Sequence, residues 1–154
     1  MGRSGRCGAR GYSLTELAVV IAVIGILAVL GLPMFVTYLR AATLRAGSEE
    51  MATILNDARQ LAISSNSTVC VTRTSATSLS YHVGACGNAA YVGAGTDTAG
   101  NVNLSTAVQV TTDPQVTFTY LGAATPGGVF TLQNPVNGAT QTVTVLTSGR
   151  ITIP

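Results

Sequence analysis

The chain has 154 residues and a formal net charge of +2, with 9% charged residues against 47% hydrophobic ones. That length suits one domain with an extension. The low charge excludes an intrinsically disordered chain, which needs many charges and little apolar content. It also argues against a general nucleic-acid binder, which needs clustered cations to displace counterions.

The charges are unevenly placed. Arg3, Arg6 and Arg10 open the chain with no acid among them, and Glu16 then stands alone. From Leu17 to Leu39 there is no charged residue, and Leu17 to Val36 is almost wholly apolar. Twenty residues at about 1.5 Å per residue cover about 30 Å, the thickness of a bilayer's hydrocarbon core. A basic flank before such a run places the N-terminus in the cytoplasm. A cleaved secretory signal is the competing reading, but its apolar core is only about 7–15 residues long. The pattern therefore predicts a retained membrane helix. Glu16 at its mouth needs a partner, because a carboxylate deep in lipid costs about 2.5 kcal/mol or more. No base lies within reach downstream. The nearest candidate is a free amine, if the chain is cut just before Tyr12.

Pro33 removes a helical hydrogen bond, so a kink is expected near residues 29–33. Beyond it, Met51, Ile54, Leu55, Ala58, Leu61 and Ala62 recur at helical spacing, with Glu49, Glu50, Thr53, Asn56, Asp57 and Gln60 on the other side. That is an amphipathic helix. One helix from about Ser13 to about Ser64 is predicted, its second half packed on a globular domain. After residue 66 the period changes to two. Thr68–Arg73, Leu79–Val83, Ala107–Thr111, Val116–Tyr120, Val129–Leu132, Thr142–Leu146 and Arg150–Ile153 read as strands, separated by Gly- and Pro-bearing turns. The fold class is α+β, a long helix on a small antiparallel β-domain.

The segment Arg10-Gly11-Tyr12-Ser13-Leu14-Thr15-Glu16-Leu17, with the apolar run behind it, resembles the processing site of type IV prepilins and type II secretion pseudopilins. The resemblance implies a pilin fold. It also implies cleavage by a prepilin peptidase between Gly11 and Tyr12, N-methylation of Tyr12, and pairing of Glu16 with a terminal amine, most naturally a neighbour's. Pro33 stands where many pilins carry their helix-kinking proline. Tyr12 departs mildly from the commoner Phe. The chain would then divide into a leader (1–11), a membrane and filament-core helix (12–39), an amphipathic helix (40–66) and a β-rich domain (67–154). Its partners would be the peptidase, other pilin or pseudopilin subunits and an inner-membrane assembly platform. It would sit in the bacterial inner membrane, C-terminal domain in the periplasm, before entering a pilus or pseudopilus.

Further along, Ala58-Arg59 with Ala62, Asn66 and Val69 is similar to a segment of GspH/FimT-type minor pilins. So are Phe118-Thr-Tyr-Leu-Gly122, Phe130-Thr-Leu132 and Val143 to Arg150. The stretch from Gly84 to Asn103 departs, lacking the Trp-Gly-aromatic segment often found there. Arg59 by itself reads as a solvated helix charge. Loss of the leader removes Cys7 and leaves Cys70 and Cys86, an even pair facing an oxidising compartment. A bridge between them closes a loop of about 15 residues, worth about 3 kcal/mol in the chain-entropy model. Metal binding is the competing reading, but His82 is the only histidine and there is no CxxC.

The leading functional reading is a structural minor pilin or pseudopilin that helps initiate or cap a filament. A FimT-like DNA-binding minor pilin and a signal-anchored surface binding domain are the alternatives. From Leu61 onward the charges are Arg73, Asp97, Asp113 and Arg150, so Arg150 is the one candidate for a weak DNA contact. No nucleophile–base set, phosphate loop or cofactor motif is legible, so neither an enzyme nor a cofactor is expected. The +2 itself resolves into a leader of +3 and a remainder with five arginines against six acids, a net of −1.

Overall fold

The computed structural model describes residues 12–154. One helix, α1, spans Leu14–Ser64. The Leu17 amide donates to the Ser13 carbonyl at 3.1 Å, closing the first turn. At the other end the Ser65 hydroxyl donates to the Leu61 carbonyl, and Asn66 takes a positive φ of 48°, a conformation asparagine tolerates at helix ends. The chain falls into two compact units, divided between Tyr38 and Leu39.

In the first unit the described side chains, among them Ile21, Ile24, Leu27 and Phe35, are exposed. Among the described residues no single helix segment is by itself long and apolar enough to cross a membrane. Leu14–Val29 and Met34–Ser64 meet the requirement together, as a bent pair. Pro33 lies in the short break between them.

In the second unit, residues 39–154, α1 has one buried stripe: Leu44, Met51, Ile54, Leu55, Ala58 and Ala62. These join a single apolar cluster with side chains from six of eight short strands, the other two packing half-buried Val102 and Ile151 against it. The strands are β1 (Val69–Arg73), β2 (Ser78–Val83), β3 (Asn101–Asn103), β4 (Gln109–Val110), β5 (Val116–Phe118), β6 (Gly128–Gln133), β7 (Thr140–Val145) and β8 (Ile151–Thr152). They form two four-stranded sheets, ordered β3-β2-β1-β5 and β4-β6-β7-β8, with every pairing antiparallel. The sequence pattern predicts about seven strands. The additional one is β3, whose Asn-Val-Asn carries no apolar alternation.

The second sheet obeys the period of two. In β6, Phe130 and Leu132 are buried while Val129 is exposed, and in β7 Val143 and Val145 are buried. In the first sheet β5 keeps that period, but β1 and β2 do not. Val69, Cys70 and Val71 are all buried in β1, and Ser78 through Tyr81 in β2. Cys70 is bonded to Cys86 of the loop after β2, with Cα atoms 5.1 Å apart, and this carries chain over the sheet's second face.

Two turns lock the end of the domain. Gly149, at φ 79°, lies so close to Gly122, at φ 80°, that a Cβ on Gly149 would run into the Gly122 carbonyl oxygen. The Ala124 amide donates to the Thr147 carbonyl at 3.0 Å and fastens the same contact.

Candidate assembly surface

Tyr12 and the helix it precedes form the first part of the site. Gly11, the expected end of the leader, lies outside the described residues. Tyr12 is 82% exposed. The Ser13 and Thr15 hydroxyls are hydrogen-bonded to each other at 2.8 Å. Glu16 stands in the first turn of α1, where the helix dipole favours a negative charge. Among the described residues it has no ion-pair partner, the one such pair being Arg45–Glu49. The helix behind it is apolar on every side. Ala22, Gly25, Ile26 and Val29 line a shallow notch, where the missing Gly25 side chain leaves room for another helix to approach.

The β-domain spends most of its charged groups on its own structure. Glu50 reaches from α1 to the loop between β3 and β4. Its Oε1 accepts from the Ser105 amide and hydroxyl, both at 2.7 Å, and its Oε2 from the Thr106 amide and hydroxyl, at 3.2 and 2.9 Å. Burial alone would raise the Glu50 carboxyl, but these four donors outweigh it and hold the group below the usual carboxylate range. Asp97 folds its own turn. The Asn101 amide leads in holding its carboxyl low, joined by the Ala99 amide and the Asn101 and Asn103 side chains. Arg73 donates through Nη1 to the Val110 carbonyl at 2.6 Å, while its amide donates to Asp113 Oδ1 at 3.0 Å. Tyr81 is buried and donates to the Ile54 carbonyl at 2.9 Å, tying β2 to α1. Burial, and then the charge of Asp57, push its phenol pKa upward.

Among the described residues His82 is hydrogen-bonded to no carboxylate. Its Nδ1 lies 2.7 Å from the Asn88 carbonyl, so that nitrogen carries the proton. Nε2 then accepts from Ser80 or Thr72, at 2.9 and 3.0 Å. Among the described residues no group of three His, Cys, Asp or Glu side chains could hold a metal ion. Arg150 is exposed at the turn before β8, and its carbonyl accepts from the Leu146 amide. Arg59 departs from the solvated charge expected of it. It is half-buried, and its Nε is buried with no hydrogen-bond partner among the described residues. The guanidinium lies over the Gly122 turn, where a Cβ would come within 3.0 Å of Nε. Sequence reasoning missed the Glu50 clamp as well, since its partners lie more than fifty residues away.

A family model described as type II transport protein GspH matches residues 47–149. Comparison with curated proteins gives no match. Among solved structures, the chain is similar to the type IV minor pilin FimU of Pseudomonas aeruginosa strain PAO1. The TM-score is 0.53 at 17% identity, over 76% of this chain and 92% of that one. It is also similar to the minor pseudopilin EpsH from the type 2 secretion system of Vibrio cholerae. There the TM-score is 0.53 at 13% identity, over 72% of this chain and 95% of that one. At these identities the likeness is one of fold, and the α+β pilin architecture expected from the sequence is the one observed.

Proposed function

Because the chain belongs to the GspH family of type II transport proteins and has the fold of minor pilins and pseudopilins, we propose that it is a structural filament subunit. It is processed between Gly11 and Tyr12 by a prepilin peptidase, methylated on the Tyr12 amine, and held in the inner membrane by the apolar helix until assembly. Its destination is a type IV pilus or a type II secretion pseudopilus, where it helps initiate or cap the filament. The leader 1–11, the core helix 12–39, the amphipathic helix 40–66 and the domain 67–154 divide this work between them. An assembly platform in the membrane supplies the remaining partner.

The observation that carries this reading is the first half of α1. It is apolar all round and its described side chains are exposed, with one carboxylate, Glu16, in its first turn. Burying each Leu, Ile or Val is worth about 1.5–3 kcal/mol, so such a surface demands lipid or neighbouring helices. A terminal ammonium from an adjacent subunit satisfies Glu16 once both are out of water. The kink at Pro33 adapts the helix to that packing.

Two observations support a structural role over catalysis or DNA capture. His82 has no carboxylate partner to make it a catalytic base. Arg73 is engaged with the Val110 carbonyl, which leaves Arg150 alone among the cations after Leu61. The test is Glu16→Ala in the full chain. Cleavage after Gly11, read by mass spectrometry, should persist, while the subunit disappears from sheared filaments. Normal incorporation of Glu16→Ala would overturn the pairing.

A further inference from the structure

The second unit uses its acids internally, with one exception. Glu49 pairs with Arg45, Glu50 holds the Ser105–Thr106 loop, Asp97 closes its own turn and Asp113 accepts from the Arg73 amide. Asp57 is the remaining acid. It is exposed, and among the described residues it has no hydrogen bond or ion pair.

Asp57 lines a groove of about 480 Å³ between α1 and the loop after β2. Asp57, Gln60 and Ser64 are three and four residues apart, so α1 supplies one wall as a single helical face. Tyr91, Ala94 and Gly95 supply the other. The Tyr91 ring lies against Gly93, where a Cβ would collide with it, while Ala94 and Gly95 are too small to fill the space. The loop wall is fastened by the fold. Cys86 is bonded to Cys70, His82 donates to the Asn88 carbonyl, and the Tyr91 amide donates to the Tyr81 carbonyl at 2.7 Å. A groove formed in advance spares a ligand the cost of ordering it.

The polar groups of the groove match a cation. Among the described residues Asp57 is the one charged side chain lining it. The Gln60 side-chain amide and the Tyr91 hydroxyl are likewise without a hydrogen-bond partner among the described residues. A carboxylate, an amide oxygen and a tyrosine ring suit a guanidinium, whose planar fork of N–H donors pairs with carboxylates and stacks on aromatic faces. Val92, next to Tyr91 in the chain and 61% exposed, adds apolar surface for the rest of a partner.

We infer that this groove receives an arginine side chain from a different subunit of the same filament, the guanidinium paired with Asp57 and laid against Tyr91. The inference rests on the filament-subunit reading. A subunit that starts or caps a filament has unlike neighbours, and a single site for a foreign cation suits that position. Charge complementarity names the occupant, since the groove offers a carboxylate and no cation of its own.

The first experiment titrates N-acetyl-argininamide into the full chain in detergent micelles and follows backbone amide NMR shifts. Saturable shifts are expected in residues 57–64 and 91–95. Asp57→Asn should weaken binding about tenfold or more, the worth of a hydrogen bond to a charged group. Tyr91→Leu should weaken it about threefold, through loss of the cation–aromatic contact. If thermal melting shows that Tyr91→Leu loosens the domain, Ala94→Phe, which fills the groove and leaves Asp57 in place, should block the probe. N-acetyl-citrullinamide, which has nearly the same shape and no charge, should not bind. Absence of saturable shifts, equal binding of the citrulline probe, or binding undiminished by Asp57→Asn overturns the proposal. The second experiment puts a benzophenone amino acid in place of Gln60 in filament-producing cells. Light should link it to an arginine-bearing peptide of another filament subunit, and Asp57→Arg should abolish the adduct. An adduct to a second copy of this chain, or none at all, overturns the assignment of the occupant. The titration needs no assembly machinery, so it reads the groove even if the Glu16 test fails.

Discussion

The two halves of α1 use the same kinds of residue to opposite ends. Between Leu14 and Tyr38 the described apolar side chains point in every direction and remain exposed. Beyond Leu39 they are gathered into one stripe, and the stripe is covered by the chain's own two sheets. Periodicity, more than hydrophobic content, decides which half is finished by its own fold and which must be finished by lipid or neighbours. Polar groups follow the same division. Glu50 in the second half has four donors from within the chain, while Glu16 in the first has no ion-pair partner among the described residues.

That contrast can be broken most sharply on the helix itself. Leu55→Ala should destabilise the β-domain by about 2–5 kcal/mol, the range for a fully buried leucine, whereas Leu27→Ala should move it by less than about 0.5 kcal/mol. Urea unfolding of both variants in micelles checks this. Equal effects would show that the two halves are not energetically distinct. Next in size, Cys86→Ser should cost about 3 kcal/mol, the entropy of a loop of about 15 residues, read from the shift in the unfolding midpoint.

Glu50→Gln should cost about 1.5 kcal/mol, because it replaces charge-assisted hydrogen bonds by neutral ones. The effect has a pH signature. A carboxyl held low in the folded state adds stability above its ordinary pKa of about 4.3, and that contribution fades as pH falls through the lower folded value. The gap between wild type and Glu50→Gln should therefore be full at neutral pH and close on acidification. A gap independent of pH would mean that the carboxylate's charge is not what the clamp uses. The smallest effect is expected at Arg45→Ala. Its exposed 3.1 Å pair with Glu49 is worth about 0.3–0.5 kcal/mol, so a thermal melt should barely register the change.

The helix was legible because its signals are local: a long uncharged run, then apolar residues at helical spacing. The strands of the second sheet were legible for the same reason, since Phe130, Leu132, Val143 and Val145 alternate with polar neighbours. What the sequence hid depends on distant partners. Asn101–Asn103 is a strand because β2 offers it an edge, not because of its composition. Cys70 is buried on what should be the open face of β1 because the Cys86 loop covers it. Arg59 reads as a surface charge until the turn at Gly122, some sixty positions later, folds against it. The candidate site divides in the same way. Tyr12 and Glu16 stand out by position alone, while the Glu50 clamp emerges only when the Ser105–Thr106 loop folds against it.

The nested turns at Gly122 and Gly149 bear on how the end of this sequence should be read. The Ser-Gly-Arg signature before β8 invites a ligand reading, because a glycine followed by a cation looks like a binding loop. Here the glycine answers to a backbone neighbour: it takes a positive φ, and any side chain on it would collide with the Gly122 carbonyl. In this chain the glycine therefore records how two loops fit, and its presence beside Arg150 does not by itself make a ligand loop.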